Sequence, residues 1–386
     1  MRTVLTYHDP VEGFPGWLVY DDDSFALAAG GCRMQSGLTR ESLEALAARM
    51  TLKQRVLGTN VAGAKCGVDR DPRAPGREAA LGRFVGHLRR ELLTRYSMGS
   101  DMGTRFDELE RLAAGHGVPS VKYAVRAAQG LTEEDFATRI GSLKAPVGPL
   151  TLGDRRAGHA LAAAAVAAAR IRGAGRRPRI GLQGFGTLGR SCALTLFQEG
   201  CTLVAVADEY GCVTDLSGLD VPTLIALEHG APVRGAGGSA TDDPTDLMRA
   251  GVDVLVLAAG ADGVTAGQAR DVDAAVVVVG ANRGLGAAAE AVLEDRGVLV
   301  VPDFIGGIGG SASMEVLFGA PAALAPETVL DRVGVLMRAL MDELAAAARR
   351  DRTGLRAAAD RLSSARPGHP GERPYGNSPF LAAVPI

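Results

Sequence analysis

Apolar and polar positions alternate over Trp17–Tyr20 and Phe25–Ala29, with Asp21-Asp22-Asp23 between them, and this alternation predicts a two-stranded hairpin ended by Gly30-Gly31. The period then changes. Thr39 followed by Leu43, Leu46, Ala47 and Met50 gives an N-cap and a helical stripe whose last turns carry Lys53. A second helix is predicted from about Arg77 to Leu93, with Leu81, Phe84, Val85 and Leu88 on one face. Residues 115–150 hold Gly, Pro and mixed polar residues with little period, up to Pro149-Leu150-Thr151, as a crossover into a second domain would. An alanine-rich helix follows from about Asp154 to Ile171. Alanine favours helix and adds little hydrophobicity, so this run is a helix interior and not a membrane span. Short apolar runs at Arg179–Gln183, Thr202–Ala207, Val252–Leu257, Ala275–Gly280 and Val298–Val301, separated by helical or loop segments, predict a parallel sheet. A long helix is predicted from Pro326 to Arg350, and the Pro- and Gly-rich tail from Arg366 is expected to lie over the surface. The class is therefore α/β: an N-terminal α/β domain over residues 1–150, a nucleotide-type domain over 151–325, and a tail at 366–386.

The most specific pattern is Gly184-Phe-Gly186-Thr187-Leu188-Gly189, which follows one predicted strand and opens a helix. Asp208 ends the next strand, 19 residues past the last glycine. That context turns a weak motif into a Rossmann fingerprint for a dinucleotide. Gly184 permits the tight turn, Gly186 lets the backbone meet the pyrophosphate, and Gly189 allows close helix packing, with the helix N-terminus facing the phosphates. Asp208 would accept hydrogen bonds from the adenosine ribose and repel a 2'-phosphate, which favours NAD over NADP. Ala258-Ala259-Gly260 and Gly280-Ala281-Asn282 stand at strand ends, where ligands of such sheets lie. Asn282 is either a group reaching the nicotinamide half or an ordinary turn asparagine.

Composition narrows the rest. A net charge of -2 and 47% hydrophobic residues describe a globular chain with no charge footprint for nucleic acid or an anionic membrane. Five cysteines without a C-x-x-C pair indicate neither a disulfide framework nor a zinc site, and no metal is expected. With no apolar leader at Met1, a cytoplasmic location is the expectation. The informative bias is in the bases: of 42 Lys+Arg only Lys53, Lys65, Lys122 and Lys144 are lysine. Arginine serves wherever a solvated charge is enough, but it cannot give up its proton. Lys53 and Lys65, twelve residues apart and the second in a turn with Gly58, Gly63 and Gly67, therefore mark a site needing a compact ammonium or a titratable amine. Asp101 lies in the glycine-flanked loop Tyr96–Thr104, where it is either an acid of that site or a helix N-cap.

These residues together resemble the glutamate, leucine, phenylalanine and valine dehydrogenase family. The resemblance is carried by Gly30-Gly-Cys-Arg33-Met, Met50-Thr-Leu-Lys53, Gly63-Ala-Lys65-Cys-Gly67, Ser100-Asp101-Met-Gly-Thr104, Pro149-Leu-Thr151, the Gly184–Gly189 loop, Gly280-Ala-Asn282 and Pro302–Gly310, in the family's order over roughly residues 25–365. It implies an N-terminal substrate and assembly domain through which a homo-oligomer forms, a nucleotide domain, and a C-terminal helix, about 326–365, returning to the first domain. It also implies interconversion of an L-amino acid with its 2-oxo acid and ammonia. By resemblance Lys53 holds the substrate carboxylate, Lys65 is the amine that activates water at the imino carbon, and Asp101 shuttles a proton to and from the substrate nitrogen. Gly30 and Gly31 border the substrate. Thr151, Gly184, Gly186, Thr187, Leu188, Gly189, Asp208, Ala258, Ala259 and Asn282 hold the cofactor.

The chain also departs from the family. Members acting on glutamate usually carry a lysine just before the Gly-Gly pair and a serine after the late glycine pair; here those positions are Ala29 and Met314. A side-chain carboxylate unpaired there would cost several kcal/mol. Together with Gly99, a position at which phenylalanine-type members carry glycine, they predict a roomy apolar pocket for a bulky or aromatic side chain, glutamate not being used. Ala62, Cys66 and Gly307 replace two glycines and an asparagine of the family pattern. They support a second reading, a catalytically weak homologue that binds NAD and a metabolite as a regulatory or assembly partner. Retention of both site lysines opposes it.

Overall fold

The computed structural model describes residues 1–260 and 263–381. The chain divides into two compact units, the first made of Met1–Gly141, Leu317–Ala323 and Ser363–Pro379, the second chiefly of Ser142–Val316 and Leu324–Leu362.

The first unit is built on five strands: β1 (Thr3–His8), β2 (Pro15–Tyr20), β3 (Ala28–Met34), β4 (Ala62–Val68) and β5 (Tyr96–Ser100), in the order β1-β2-β4-β3-β5. β3, β4 and β5 run parallel, and β2 is antiparallel to both β1 and β4. The expected hairpin is thus replaced. β2 turns back on β1, through a turn in which the Asp9 carboxylate accepts the Val11 and Glu12 backbone N–H groups, and β4 separates β2 from β3.

Alternation along the central strands sorts the two faces of this sheet. Ala28, Cys32, Met34, Ala62, Ala64, Cys66, Val68, Tyr96 and Met98 point into one hydrophobic core with Leu81, Phe84 and Leu88. Ala29, Gly31, Arg33, Gly63, Lys65, Ser97 and Gly99 occupy the opposite face. The helix Arg40–Leu57 lies there, its Leu43, Leu46 and Ala47 packed on Val19 of β2. Thr39 caps it reciprocally with Ser42, and Gly58, at φ 76°, ends it. The predicted 77–93 helix breaks at Leu88 into Arg77–His87 and Arg89–Thr94. The tail is less superficial than expected: Tyr375 is buried beside Phe318, and its backbone exchanges two hydrogen bonds with the Gln129 amide.

The second unit opens with a short antiparallel ladder, β6 (Pro146–Val147) and β7 (Leu150–Thr151), and the helix Leu152–Ile171. Its sheet comprises β8 (Arg179–Gln183), β9 (Thr202–Asp208), β10 (Gly211–Thr214), β11 (Ser239–Thr241), β12 (Val254–Leu257), β13 (Val276–Val279) and β14 (Leu299–Val301), in the order β11-β10-β9-β8-β12-β13-β14. β8, β9, β12, β13 and β14 are parallel; β10 and β11 are an antiparallel edge. Strand order reverses at β8, with β9 on one side and β12 on the other, which is where a doubly wound sheet binds its ligand. The helix Pro326–Asp351 belongs to this unit and not to the first as the sequence suggested. Its stripe of Val329, Val333, Leu336, Met337, Leu340 and Leu344 is buried, and it packs along the small-residue helix Leu152–Ile171. Beyond Leu362 the chain returns to the first unit over Ser363–Pro379.

Candidate active site

On the polar-bearing face of the first sheet, the pairs Ala29↔Gly63 and Cys32↔Cys66 set Lys65 opposite Gly31. The Lys65 Nζ lies over that glycine: a Cβ added to Gly31 would stand 3.1 Å from it and 2.9 Å from the Asp101 Cβ. Glycine at 31 is therefore what lets amine and acid meet. Gly30 serves the other side, where a Cβ would fall 1.6 Å from the Ala64 carbonyl oxygen, so β3 and β4 approach there as only glycine allows.

Lys65 Nζ is 2.6 Å from Asp101 Oδ2, and Arg33 Nε donates to the same oxygen at 2.9 Å. Burial pushes the Asp101 carboxyl up, but the Lys65 ammonium and the Arg33 guanidinium outweigh it and hold the group well below the usual carboxylate range. Asp101 is no helix cap: the next helix is Phe106–Gly115, with Arg105 at its N-cap. Thr104 anchors the Asp101 loop instead. Its hydroxyl donates to the Cys32 carbonyl at 2.7 Å and accepts the Asp101 N–H at 3.1 Å. Arg33 and Thr104 were not singled out from sequence as site residues, although Arg33 stands two positions after Gly31 and so shares its face.

Lys53 is buried in the penultimate turn of the helix Arg40–Leu57. That helix is held against β4 by Gly63, where a Cβ would fall 2.2 Å from the Ala47 carbonyl oxygen and 2.3 Å from the Thr51 nitrogen. Ala29 and Gly99 lie on the same face as Lys65, Gly99 paired with Gly31. Gly99 is not walled by apolar groups alone. A Cβ there would stand 3.7 Å from the Nζ of Lys122, a buried lysine that sequence reasoning counted but did not place. Cys66 and Ala62 face the core, Cys66 accepting a hydrogen bond from the Tyr96 hydroxyl. Met314 is buried in the helix Gly309–Gly319.

In the second unit the glycines differ in what surrounds them. A Cβ added to Gly184, at φ 90°, would stand 2.8–3.0 Å from the backbone of Ala258 and Ala259. Gly189 closes on the Gly184 carbonyl, where a Cβ would stand 1.9 Å away, whereas nothing lies within 4 Å of a Cβ on Gly186. A tight turn, an open backbone and a close helix contact are what a pyrophosphate cradle requires, and the residues present fit one. Gly186 and Thr187 are exposed at the start of the helix Thr187–Gln198, with Leu188 half-buried behind them. Asp208 ends β9, its carboxylate accepting the Tyr210 and Val233 N–H groups at 2.8 and 2.7 Å. Thr151 caps the helix Leu152–Ile171, accepting the Asp154 N–H at 3.2 Å. Asn282 is half-buried in the loop after β13, beside Arg283 at φ 58°. Gly306 and Gly309 of the late glycine-rich stretch pack on the Val279 carbonyl and on Ala157 and Ala160. Among the described residues, no group of three or more His, Cys, Asp or Glu is placed to hold a metal ion, and no helix is long and apolar enough to cross a membrane.

Comparison with known proteins agrees with both units. Residues 156–366 match the family described as Glutamate/Leucine/Phenylalanine/Valine dehydrogenase, and residues 2–115 match its dimerisation domain. The chain is 30% identical over 315 residues to glutamate dehydrogenase B of Halobacterium salinarum, covering 77% of this chain and 68% of the relative. It is 26% identical over 314 residues to the NAD-specific glutamate dehydrogenase of Staphylococcus aureus, covering 78% and 71%. Among solved structures it resembles the hetero-hexameric glutamate dehydrogenase of Thermus thermophilus in its leucine-bound form, with a TM-score of 0.75 and 29% identity over 95% of this chain and 88% of that one. Glycine-enforced meeting of a lysine and an aspartate in one unit, a glycine turn that fits a dinucleotide in the other, and family matches in both make the chain a member of the Glutamate/Leucine/Phenylalanine/Valine dehydrogenase family of amino acid oxidoreductases.

Proposed function

We propose that this protein interconverts an L-amino acid, water and NAD+ with the 2-oxo acid, ammonium, NADH and a proton. The observation that carries the reading is the amine of Lys65 held over Gly31, 2.6 Å from Asp101. Lys65 and Arg33 keep the Asp101 carboxylate ionised, so an acceptor for a proton of the substrate ammonium stands beside the amine. Lys53 binds the substrate carboxylate, Lys65 activates the water that adds to the imino carbon, and Asp101 carries the proton at the substrate nitrogen. The cofactor, when bound, accepts or supplies the hydride, and Gly184–Gly189, Thr151, Asp208, Ala258, Ala259 and Asn282 hold it. The first unit is read as the substrate and assembly domain, and association of copies through it is supported by the dimerisation-domain match. NAD is favoured over NADP because the carboxylate of Asp208 ends β9, and a relative that is NAD-specific supports the same choice.

For the substrate side chain, Ala29 and Gly99 support room for a bulky group. The expectation of an apolar pocket fits Ala29 and Met314 but has to be revised at Gly99, against which the Lys122 ammonium lies. The weak-homologue reading loses support from Ala62 and Cys66, whose side chains point into the core and away from Lys65. The deciding experiment follows NADH oxidation with a panel of 2-oxo acids in the presence and absence of ammonium. Oxidation that requires ammonium is expected. No ammonium-dependent turnover of any 2-oxo acid overturns the reading and favours the weak homologue.

A further inference from the structure

Of the four lysines, Lys53, Lys65 and Lys122 are all buried, at 5%, 3% and 5% exposure, and all belong to the first unit, whereas Lys144 is exposed. In a chain that uses arginine almost everywhere, a buried lysine marks a place where a compact ammonium is needed. Two of the three have been given roles. Lys122 has none.

Its position is fixed by its neighbours. The Val121 carbonyl accepts the Met98 N–H at 2.8 Å, which ties this segment to β5. Glu110 Oε1 accepts both the Ser120 hydroxyl at 2.8 Å and the Val121 N–H at 3.0 Å, and the Ser120 hydroxyl in turn accepts the Lys122 N–H. The backbone at Lys122 is thereby held, and its Nζ lies 3.7 Å from where a Gly99 Cβ would be. Gly99 is paired with Gly31, over which the Lys65 amine lies. Neighbouring strands are ~4.8 Å apart, so the two amines are no more than about 12 Å apart on one face of the sheet.

We propose that Lys122 determines substrate specificity by binding an oxygen-bearing end of the substrate side chain, a carboxylate above all. The proposal rests on the reading of Lys65 and Asp101 as the reacting end. An extended chain advances ~1.2 Å per bond, so an acceptor about two to four bonds beyond the α-carbon reaches ~2–5 Å, which with a contact of ~3 Å at each amine stays within that limit. An aliphatic or aromatic side chain would be set against a buried ammonium with no hydrogen bond to offer it, whereas a carboxylate makes a charge-assisted one. The cation approaches from the β5 side, not from the position before Gly30-Gly31, which is Ala29 here.

The test compares wild type with Lys122→Met, of similar shape without charge, and Lys122→Arg, which keeps the charge. The readout is the ratio of kcat/KM for 2-oxoglutarate to that for 4-methyl-2-oxopentanoate, with NADH and ammonium. Lys122→Met should lower this ratio on the order of 10–100-fold, and Lys122→Arg should restore part of it. A purely structural lysine would depress both substrates and the melting temperature together and leave the ratio unmoved; that result overturns the proposal. If wild type turns over none of the panel, the reaction reading has failed and Lys122 is judged by calorimetry instead. Binding of 2-oxoglutarate that Lys122→Met weakens sustains the proposal; undetectable or equal binding by the two proteins removes it.

Discussion

Because lysine is so scarce in this chain, the contrast between lysine and arginine at a single position is informative. Lys65 touches Asp101 and lies against Gly31, so it has neither the room nor the chemistry for a guanidinium. Lys65→Ala and Lys65→Arg should both lose on the order of 10²–10⁴ in kcat while NADH binding, followed by its fluorescence, persists. Arginine working near the wild-type rate would mean that only charge is required there and would remove the amine from the mechanism. Lys53→Arg should raise KM for the oxo acid more than it lowers kcat, since a carboxylate is held by either cation. At Asp208, loss of the carboxylate in Asp208→Ala should narrow the gap in kcat/KM between NADH and NADPH; a wild type preferring NADPH would show that this acid does not face the ribose. The two catalytic candidates were legible because a rare residue type and a glycine-rich setting coincided. Lys122 was not, because 115–150 has no period from which a face can be assigned. Its place depends on a hydrogen bond from Met98 to Val121 that no local pattern reveals.

At the scale of elements, regular periods were readable and pairings were not. The helix Arg40–Leu57, the strands β8, β9, β12, β13 and β14, and the fingerprint turn all followed from apolar spacing and capping residues, because each signal lies within one short stretch. The misread hairpin shows the limit: Trp17–Tyr20 pairs with Thr3–His8 and with a strand more than forty residues downstream, and alternation says which face a residue takes but not which strand lies beside it. The edge strands β10 and β11 escaped notice because four and three residues are too few to show a period. Glycines supply a test at this scale. Gly63→Ala drives a methyl into the backbone of Ala47 and Thr51, so the helix that carries Lys53 must move or the fold must yield. A loss of about 3 kcal/mol or more in denaturant unfolding is expected, with KM for the oxo acid raised. Gly99→Ala is the control, since its methyl meets only ordinary contacts at 3.7 and 3.9 Å; it should cost less than about 1 kcal/mol and alter substrate preference alone. Equal destabilisation by the two would show that the Gly63 contact is relieved at little cost.

For the molecule as a whole, the buried ionisable groups set different acid limits for the two units. In the first, burial pushes Asp9 up, but the Arg83 guanidinium, the Glu12 and Val11 N–H groups and the Tyr7 hydroxyl hold it well below the usual range, as Lys65 and Arg33 do for Asp101. A carboxylate depressed in the folded state contributes stability that is complete above its unfolded pKa and lost as pH falls through the folded value, so this unit weakens below about pH 4. In the second unit, burial and the Arg155 charge push His159 down to about 4. An unfolded histidine titrates near 6.5 and takes up a proton that the folded one refuses, so stability is complete above about pH 6.5 and declines as pH falls toward 4, by at most about 3 kcal/mol. The second unit should therefore soften first on acidification. The chain has one tryptophan, Trp17, in β2 of the first unit, so its fluorescence reports that unit while far-ultraviolet circular dichroism reports both. Between pH 6.5 and 4 the thermal transition seen by dichroism should fall ahead of that seen by Trp17, and His159→Gln should bring the two together by removing the early loss. Coincident transitions in the wild type, or an acid limb that His159→Gln leaves unchanged, would show that the units unfold as one and that His159 does not set the acid limit.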